Sequence, residues 1–361
     1  MYKYTHFIPE NIAPVGTTKI IVRNSANQEI CNFPLGNLTP PTGDKLYSFM
    51  AISDAHIGKG DDNNEQADLA NALEYANKNC DFTCICGDLT EDGIKDQLDE
   101  YKDIVDNHTP DRPVYAIAGN HENYSNRVNS LGENYLVNYT GQPLYYSFTK
   151  GDDVFIMVGH YGGYDSEANK WLSTNFVSTD ELQWLYETLE ANRNKRCFIF
   201  HHVLPHQHEV GNPSGIYNKG ALIWYTNDGG IGQAFASLLT HYKNVILFHG
   251  HSHSRFWLQE YDPKANYHYH QSKDREYRSV HIPSISAPRN LGGDKGYTNV
   301  FDESEGYIVD VYDGYIILNG RDFIDNDADG HWLPIATYLI DTTLQTVEAN
   351  TFTDSTGTIK T

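Results

Sequence analysis

Residues 46–56 read LYSFMAISDAH: a mainly apolar run that stops abruptly at Asp54, Ala55 and His56. A run this short, bounded by polar residues, suits a strand covered on both faces better than a buried helix. Moving outward, the same form recurs as FTCICGD at 82–88, VYAIAGNHE at 114–122, CFIFHH at 197–202 and VILFHGHSH at 245–253, with VFIMV at 154–158 as a further apolar run. Amphipathic patterns lie between these runs. Leu69, Leu73 and Ala76 share one side of 65–78, and Ile94, Leu98, Tyr101 and Val105 form a stripe in 92–107. Ser178 and Glu181 make an S-x-x-E capping box ahead of Leu182, Leu185, Tyr186 and Leu189, and 232–243 gives a fourth helix. Apolar strands alternating with helices predict an α/β layered domain with buried sheets.

After His253 the helical pattern stops. Val280 to Ile285, GYIVDVYDGYIILNG at 306–320 and ATYLIDT at 336–342 read as strands of a mostly antiparallel sheet, and Asp313-Gly314 between two alternating runs predicts a hairpin. Residues 1–45 hold short β-like runs at Lys19 to Arg23 and Glu29 to Phe33, then the breaker-rich LTPPTGD. That is too little for a sandwich domain of about 100 residues. It predicts an N-terminal β extension or docking arm (1–45) on a main domain (46–345), with a C-terminal β segment at 278–345 and a tail at 346–361.

The composition narrows the class. Of the 361 residues 39% are apolar and 13% aromatic, enough for an ordinary core. Lys and Arg total 26 against 48 Asp and Glu, a formal charge of -22, which argues against a protein that wraps nucleic acid on a basic face. An acidic chain that binds an anion needs local positive charge, which divalent metal ions can supply. The N-terminus lacks a basic segment followed by an apolar run, and no stretch approaches the ~18 apolar residues of a membrane span. The expectation from these features is a cytoplasmic protein. Cys80, Cys84 and Cys86 fall in a strand pattern and read as core thiols rather than a zinc site.

The chemistry lies at the strand ends. Asp54 and His56, Asp88, Asn120 and His121, His201 and His202, and His251 and His253 each follow directly on an apolar strand, where the ligand crevice of an α/β sheet forms. Imidazoles with carboxylates suit Zn, Mn or Fe rather than Ca. There are too many ligands for one tetrahedral zinc, so the pattern points to two metals roughly 3.5–4 Å apart, bridged by a carboxylate and a water-derived hydroxide.

Together D-x-H, G-D-x-x-E, G-N-H-E, a strand-terminal His and G-H-x-H resemble the calcineurin-like metallophosphoesterase superfamily, over residues 46 to about 255. The resemblance implies a four-layer αββα sandwich of two mixed β-sheets flanked by helices. It implies a two-metal phosphoester hydrolase with in-line attack by a bridging hydroxide. Asp54, His56 and His253 would bind the first metal, Asp88 both, and Asn120, His201 and His251 the second. Either member of the His201–His202 pair can in principle be the ligand, and the residue directly ending CFIF matches the family position. His121 resembles the general acid, while Glu91, Glu122 and His202 would hydrogen-bond ligands from behind. Purple acid phosphatases of this superfamily carry Tyr where Glu91 stands, so a tyrosinate–iron(III) site is not expected and Mn, Zn or Fe(II) remain open.

A long insertion at 203–231 and the segment 159–169 are expected to shape the pocket through His160, Tyr161, His206, Tyr217 and Trp224. An aromatic-lined pocket suits a phosphodiesterase. A phosphomonoesterase would want a further cation, for which Arg289 is the candidate. The third reading is an interaction or assembly module keeping an idle esterase core. The C-terminal run from Ser304 is similar to metallophosphoesterases encoded near phage or prophage tail genes, which would make the protein virion-associated and its substrate a cell-surface phosphodiester such as teichoic acid, rather than a small molecule such as a nucleotide. Asp325 to Gly330 opens like a calcium loop but has Ala336 where the last ligand belongs, so an acidic hairpin turn is expected, ahead of an isolated calcium loop.

Overall fold

The computed structural model describes residues 19–23, 29–34, 43–60, 64–123, 137, 139–160, 164–165, 170–171, 177–203, 231–255, 278–291, 297–301, 303–326 and 332–341. The strands are β1 (Lys19–Arg23), β2 (Glu29–Pro34), β3 (Tyr47–Ile52), β4 (Phe82–Cys86), β5 (Val114–Ile117), β6 (Tyr145–Lys150), β7 (Asp153–Val158), β8 (Tyr164–Asp165) and β9 (Lys170–Trp171). They continue as β10 (Cys197–His201), β11 (Val245–His249), β12 (Arg278–His281), β13 (Arg289–Leu291), β14 (Tyr297–Asn299), β15 (Glu305–Tyr312), β16 (Tyr315–Asn326) and β17 (Trp332–Asp341). The helices are α1 (Glu65–Asn79), α2 (Lys95–His108), α3 (Thr179–Ala191) and α4 (Ile231–Leu239).

Two mixed sheets form the body, in the orders β17-β16-β15-β3-β4-β5 and β12-β11-β10-β7-β6. Within them β3, β4 and β5 are parallel, as are β7, β10, β11 and β12. Among the late strands β13 pairs with β14, and β15 to β17 with one another, antiparallel as expected, but of these only β13 and β14 form a separate, two-stranded sheet. β15 pairs with β3, so β15 to β17 extend the first sheet, and β12 joins the second in parallel. The hairpin at Asp313-Gly314 is present, with Tyr312 opposite Tyr315. Only Gly314 of the pair has positive φ (77°), so the turn is not the type with both central residues left-handed. β16 and β17 also pair antiparallel around the acidic 327–330, which lie outside the described residues.

Strand periodicity explains the layers. On β3, Phe49 and Ala51 face a cluster with Phe155, Phe198, Phe200 and Phe248 of the second sheet, while Met50 and Ile52 pack with Leu69, Leu73 and Ala76 of α1. On β10, Phe198 and Phe200 face the first sheet, whereas Cys197 and Ile199 pack with Leu182, Leu185, Phe235 and Leu238 of α3 and α4. The sheets therefore meet through an aromatic interface, with Phe49 of β3 edge-on to Phe155 of β7 at 5.2 Å and to Phe198 of β10 at 5.5 Å. Helices cover both outer faces, and the result is the four-layer αββα sandwich. The capping box forms as read: Ser178 Oγ accepts from the Glu181 N–H (3.1 Å) and Glu181 Oε2 from the Ser178 N–H (2.6 Å). Cys80, Cys84, Cys86 and Cys197 are buried thiols of the core.

A buried ionic clamp ties the sheets together. Arg196 donates to both oxygens of Asp153 (2.9 and 2.6 Å) and to the Tyr312 carbonyl (2.8 Å), and the Tyr47 hydroxyl donates to Asp153 (2.5 Å). Breaking such a pair strands a buried charge, at a cost of about 3–5 kcal/mol. Arg196→Ala should lower unfolding stability by about that amount in denaturant titration.

Candidate metal centre

Sequence elements from both sheets converge at the C-terminal ends of the parallel strands. Asp54 and His56 follow β3, Asp88 follows β4, Asn120 and His121 follow β5, His202 follows β10, and His251 and His253 follow β11. Most are buried: Asp54 is 0% exposed, Asp88 1%, and His56, Asn120 and His253 2% each.

The backbone here is unusual. Among the described residues, five that are not glycine have positive φ: Asp54 (57°), His56 (48°), Asp88 (49°), His251 (67°) and His253 (57°). Each left-handed L-residue costs roughly 1–2 kcal/mol. Five of them approach the ~5–15 kcal/mol that stabilises a whole domain. Strain of that size, confined to one cluster, marks a site held in place for its chemistry. Two glycines make room for it, since a Cβ on Gly119 would run into the Asp88 carboxylate and one on Gly250 into Ser53 and Asp54.

Among the described residues three donor groups result: one is His56, Glu91 and His121, and the other two share Asp88. Asp54, His56, Asp88 and His253 each offer one atom, all within 4.8 Å of one another, and so do Asp88, His202 and His251. Asp88 belongs to both. His253 Nε2 lies 3.1 Å from Asp54 Oδ1 and 3.1 Å from His56 Nε2, and His202 Nε2 lies 3.0 Å from Asp88 Oδ2. The opposite ring nitrogens are anchored: Nδ1 of His56 on Glu91 Oε2 (2.8 Å), of His202 on the Cys86 carbonyl (2.6 Å) and of His253 on the Ala287 carbonyl (3.0 Å). A carbonyl only accepts, so His202 and His253 carry their proton on Nδ1 and turn Nε2 into the site. Such anchoring is what metal-binding imidazoles require.

Electrostatics agree with that donor set. Burial would push Asp54 up, but His253 and His202 hold it well below the ordinary carboxylate range. Asp88 behaves alike, with His202 and His121 overcoming its burial. Burial also works against a charged His202, yet Asp88 and Asp54 raise it to about 9. Two buried carboxylates thus call for positive charge at one point. His251, at about 3, and His253, well below its usual value, are both kept neutral chiefly by burial, the form in which imidazole binds a metal. Residues and charge both fit divalent ions.

The structure reverses the expected placement of His201 and His202. His201 donates Nδ1–H to the Val158 carbonyl (3.1 Å), and its ring lies 4.9 Å from Phe235 of α4. It closes β10 on the side of Cys197 and Ile199, so strand alternation turns it toward the helices and leaves His202 facing the crevice. Glu122 accepts from the N–H groups of Thr90 (2.9 Å) and Gly119 (2.7 Å), neither of them a candidate ligand. His121 donates Nδ1–H to the Glu91 carbonyl (2.6 Å), which leaves Nε2 3.9 Å from Asp88 Oδ2. His160 is 1% exposed and its ring is hydrogen-bonded to Asn123 (3.2 Å). Arg289 is half-buried, and its charge helps keep both His251 and His253 neutral. Tyr161, His206, Tyr217 and Trp224 lie outside the described residues. Sequence reading missed Ser284, Ser286 and His281, all buried behind the ligands.

The calcineurin-like phosphoesterase family model matches residues 47–255, more than half of the chain and every candidate ligand. The chain belongs to this family. A Dictyostelium discoideum protein described as sphingomyelinase phosphodiesterase C is 26% identical over 198 residues, 48% of this chain and 41% of that protein. The chain thus aligns with less than half of that relative's length. Among solved structures, a conserved uncharacterized protein of Streptococcus pneumoniae TIGR4 covers 82% of this chain and 97% of its own, at 12% identity and a TM-score of 0.33. Vps29 of Chaetomium thermophilum covers 83% and 98%, also at 12% and 0.33. Among the described residues no helix of this phosphoesterase is long and apolar enough to cross a membrane.

Proposed function

We propose that this phosphoesterase is a metal-dependent phosphodiesterase. Asp54, His56, Asp88 and His253 would hold one divalent ion and Asp88, Asn120, His202 and His251 a second, with Mn, Zn or Fe(II) the metals that suit the donors. The carrying observation is that two donor groups share the single carboxylate of Asp88. A pair of ions bound there supplies Lewis acidity that activates water and neutralises charge on phosphoryl oxygens.

The chain's own residues do the rest. Glu91 orients the His56 ring and, through its carbonyl, the His121 ring. Anchored by Nδ1, His121 can pass a proton only through Nε2, which suits protonation of a leaving alkoxide. Burial draws its pKa down against the pull of Asp88, and an anionic substrate beside it would raise it again. His121→Ala should lower kcat about 10²-fold for a diester with a poor leaving group. It should change little for a p-nitrophenyl ester, whose leaving group needs no acid, and metal content should stay the same. Equal losses on both esters would remove the role.

A diester is favoured because the relative from Dictyostelium carries phosphodiesterase in its name. The natural substrate would be a small phosphodiester or a cell-surface phosphodiester polymer. One observation favours a monoester: Arg289 brings positive charge to His251 and His253, where a second phosphate charge could be met. An idle assembly module is disfavoured by the intact donor set. The loaded protein should turn over bis-p-nitrophenyl phosphate with a higher kcat/KM than p-nitrophenyl phosphate; the reverse order would make it a phosphatase.

A further inference from the structure

The segment after β12 offers no ligand and lies beyond residue 255, where the family match ends. It nevertheless grips two donors of the first ion. Ser284 Oγ accepts hydrogen bonds from the N–H groups of Ser286 (3.2 Å) and Ala287 (2.9 Å). A hydroxyl has two acceptor positions and one proton. With both acceptor positions used, its proton goes to the Asp54 carbonyl 2.9 Å away. Ser286 Oγ donates to the same oxygen (3.1 Å), and Ala287 O accepts from His253 Nδ1 (3.0 Å). The turn is itself fixed, because the Ile285 N–H bonds the Ser53 carbonyl (2.9 Å) and the Glu305 N–H the Ser284 carbonyl (3.3 Å).

These bonds bear on conformation. Asp54 is left-handed, so its carbonyl leaves the path of β3 and takes two serine hydroxyls as donors. Both serines are buried, at 0% and 1% exposed, so water cannot take their place. Without them the buried carbonyl loses its donors and Asp54 is free to relax to the preferred extended form, swinging its carboxylate away. The same turn aims the His253 ring whose Nε2 lies 3.1 Å from Asp54 Oδ1.

The geometry points to residues 284–287 as the element that sets the spacing of Asp54 and His253 for the first ion, with Ser284 and Ser286 as positioning residues. The inference rests on the two-metal reading above and adds to it a part of the chain outside the matched family segment. It is tested on the full chain, stripped of metal and titrated with Co(II) by calorimetry and visible absorption. A His253→Ala control identifies which binding step belongs to the first ion. Ser286→Ala, which removes one donor from Asp54, and Ser284→Ala, which also frees the turn, are compared with the unsubstituted protein. That step should weaken about 10–100-fold in both variants, as loss of a ligand-orienting partner does, with an altered Co(II) spectrum and an unchanged second step. Two unchanged steps with a lower Tm, or equal weakening of both, would overturn the positioning role. Failure of the unsubstituted protein to take up two ions would overturn the two-metal reading, and this inference with it.

Discussion

Asp88→Asn is expected to lower phosphodiester turnover by about 10³-fold or more. Asp88 is the one residue common to the donor groups of the two ions, it is 1% exposed, and its left-handed backbone fixes where the carboxylate points. Asparagine keeps the volume and one oxygen, so the bond that Asp88 Oδ1 accepts from the His121 N–H (2.9 Å) can persist and the fold should hold. What is lost is a negative charge between two cations. Two-metal stabilisation of a phosphoryl transition state is worth several kcal/mol. At about 1.4 kcal/mol per tenfold, losing it accounts for three decades. kcat/KM on bis-p-nitrophenyl phosphate, with metal content by mass spectrometry, checks this. A variant holding two ions and within about tenfold of the parent rate would show that Asp88 is not shared.

The second large effect separates two neighbours. His202→Ala should cost about 10³-fold in turnover and the tight binding of one ion, since its Nε2 lies 3.0 Å from Asp88 Oδ2. His201→Ala should instead cost stability, about 2–4 kcal/mol for a buried ring with one hydrogen bond, and leave the folded fraction close to full activity. Denaturant titration paired with specific activity distinguishes them. Exchanged outcomes would restore the assignment that the family pattern suggests.

That exchange shows what was legible. Apolar runs ending in D-x-H, G-D, G-N-H-E and G-H-x-H carry strand, strand end and donor type in adjacent letters, so a layered α/β domain and the region of the site can be read from them, whereas the four-layer arrangement is implied only by the family resemblance. Which face a residue takes is written in parity. Phe198 and Phe200 look toward the other sheet, so His202 shares their side and His201 that of Cys197 and Ile199. The motif pattern pointed to the other residue. The late strands were visible as strands, yet nothing local in GYIVDVY told that β15 would pair with β3, more than 250 residues earlier in sequence. Ser284 and Ser286 left no signal either, because short polar residues between prolines look the same in a surface turn as in one folded beneath a ligand. Their role depends on a partner some 230 residues away.

The central claim is that two donor groups joined at Asp88 make a site that works only with two metal ions. The direct test removes metal from the full chain and returns Mn(II) or Zn(II) in steps while following hydrolysis of bis-p-nitrophenyl phosphate. The account predicts no turnover in the stripped protein and recovery that is complete only at two ions per chain. Full activity in the stripped protein, or at one ion per chain, would contradict it.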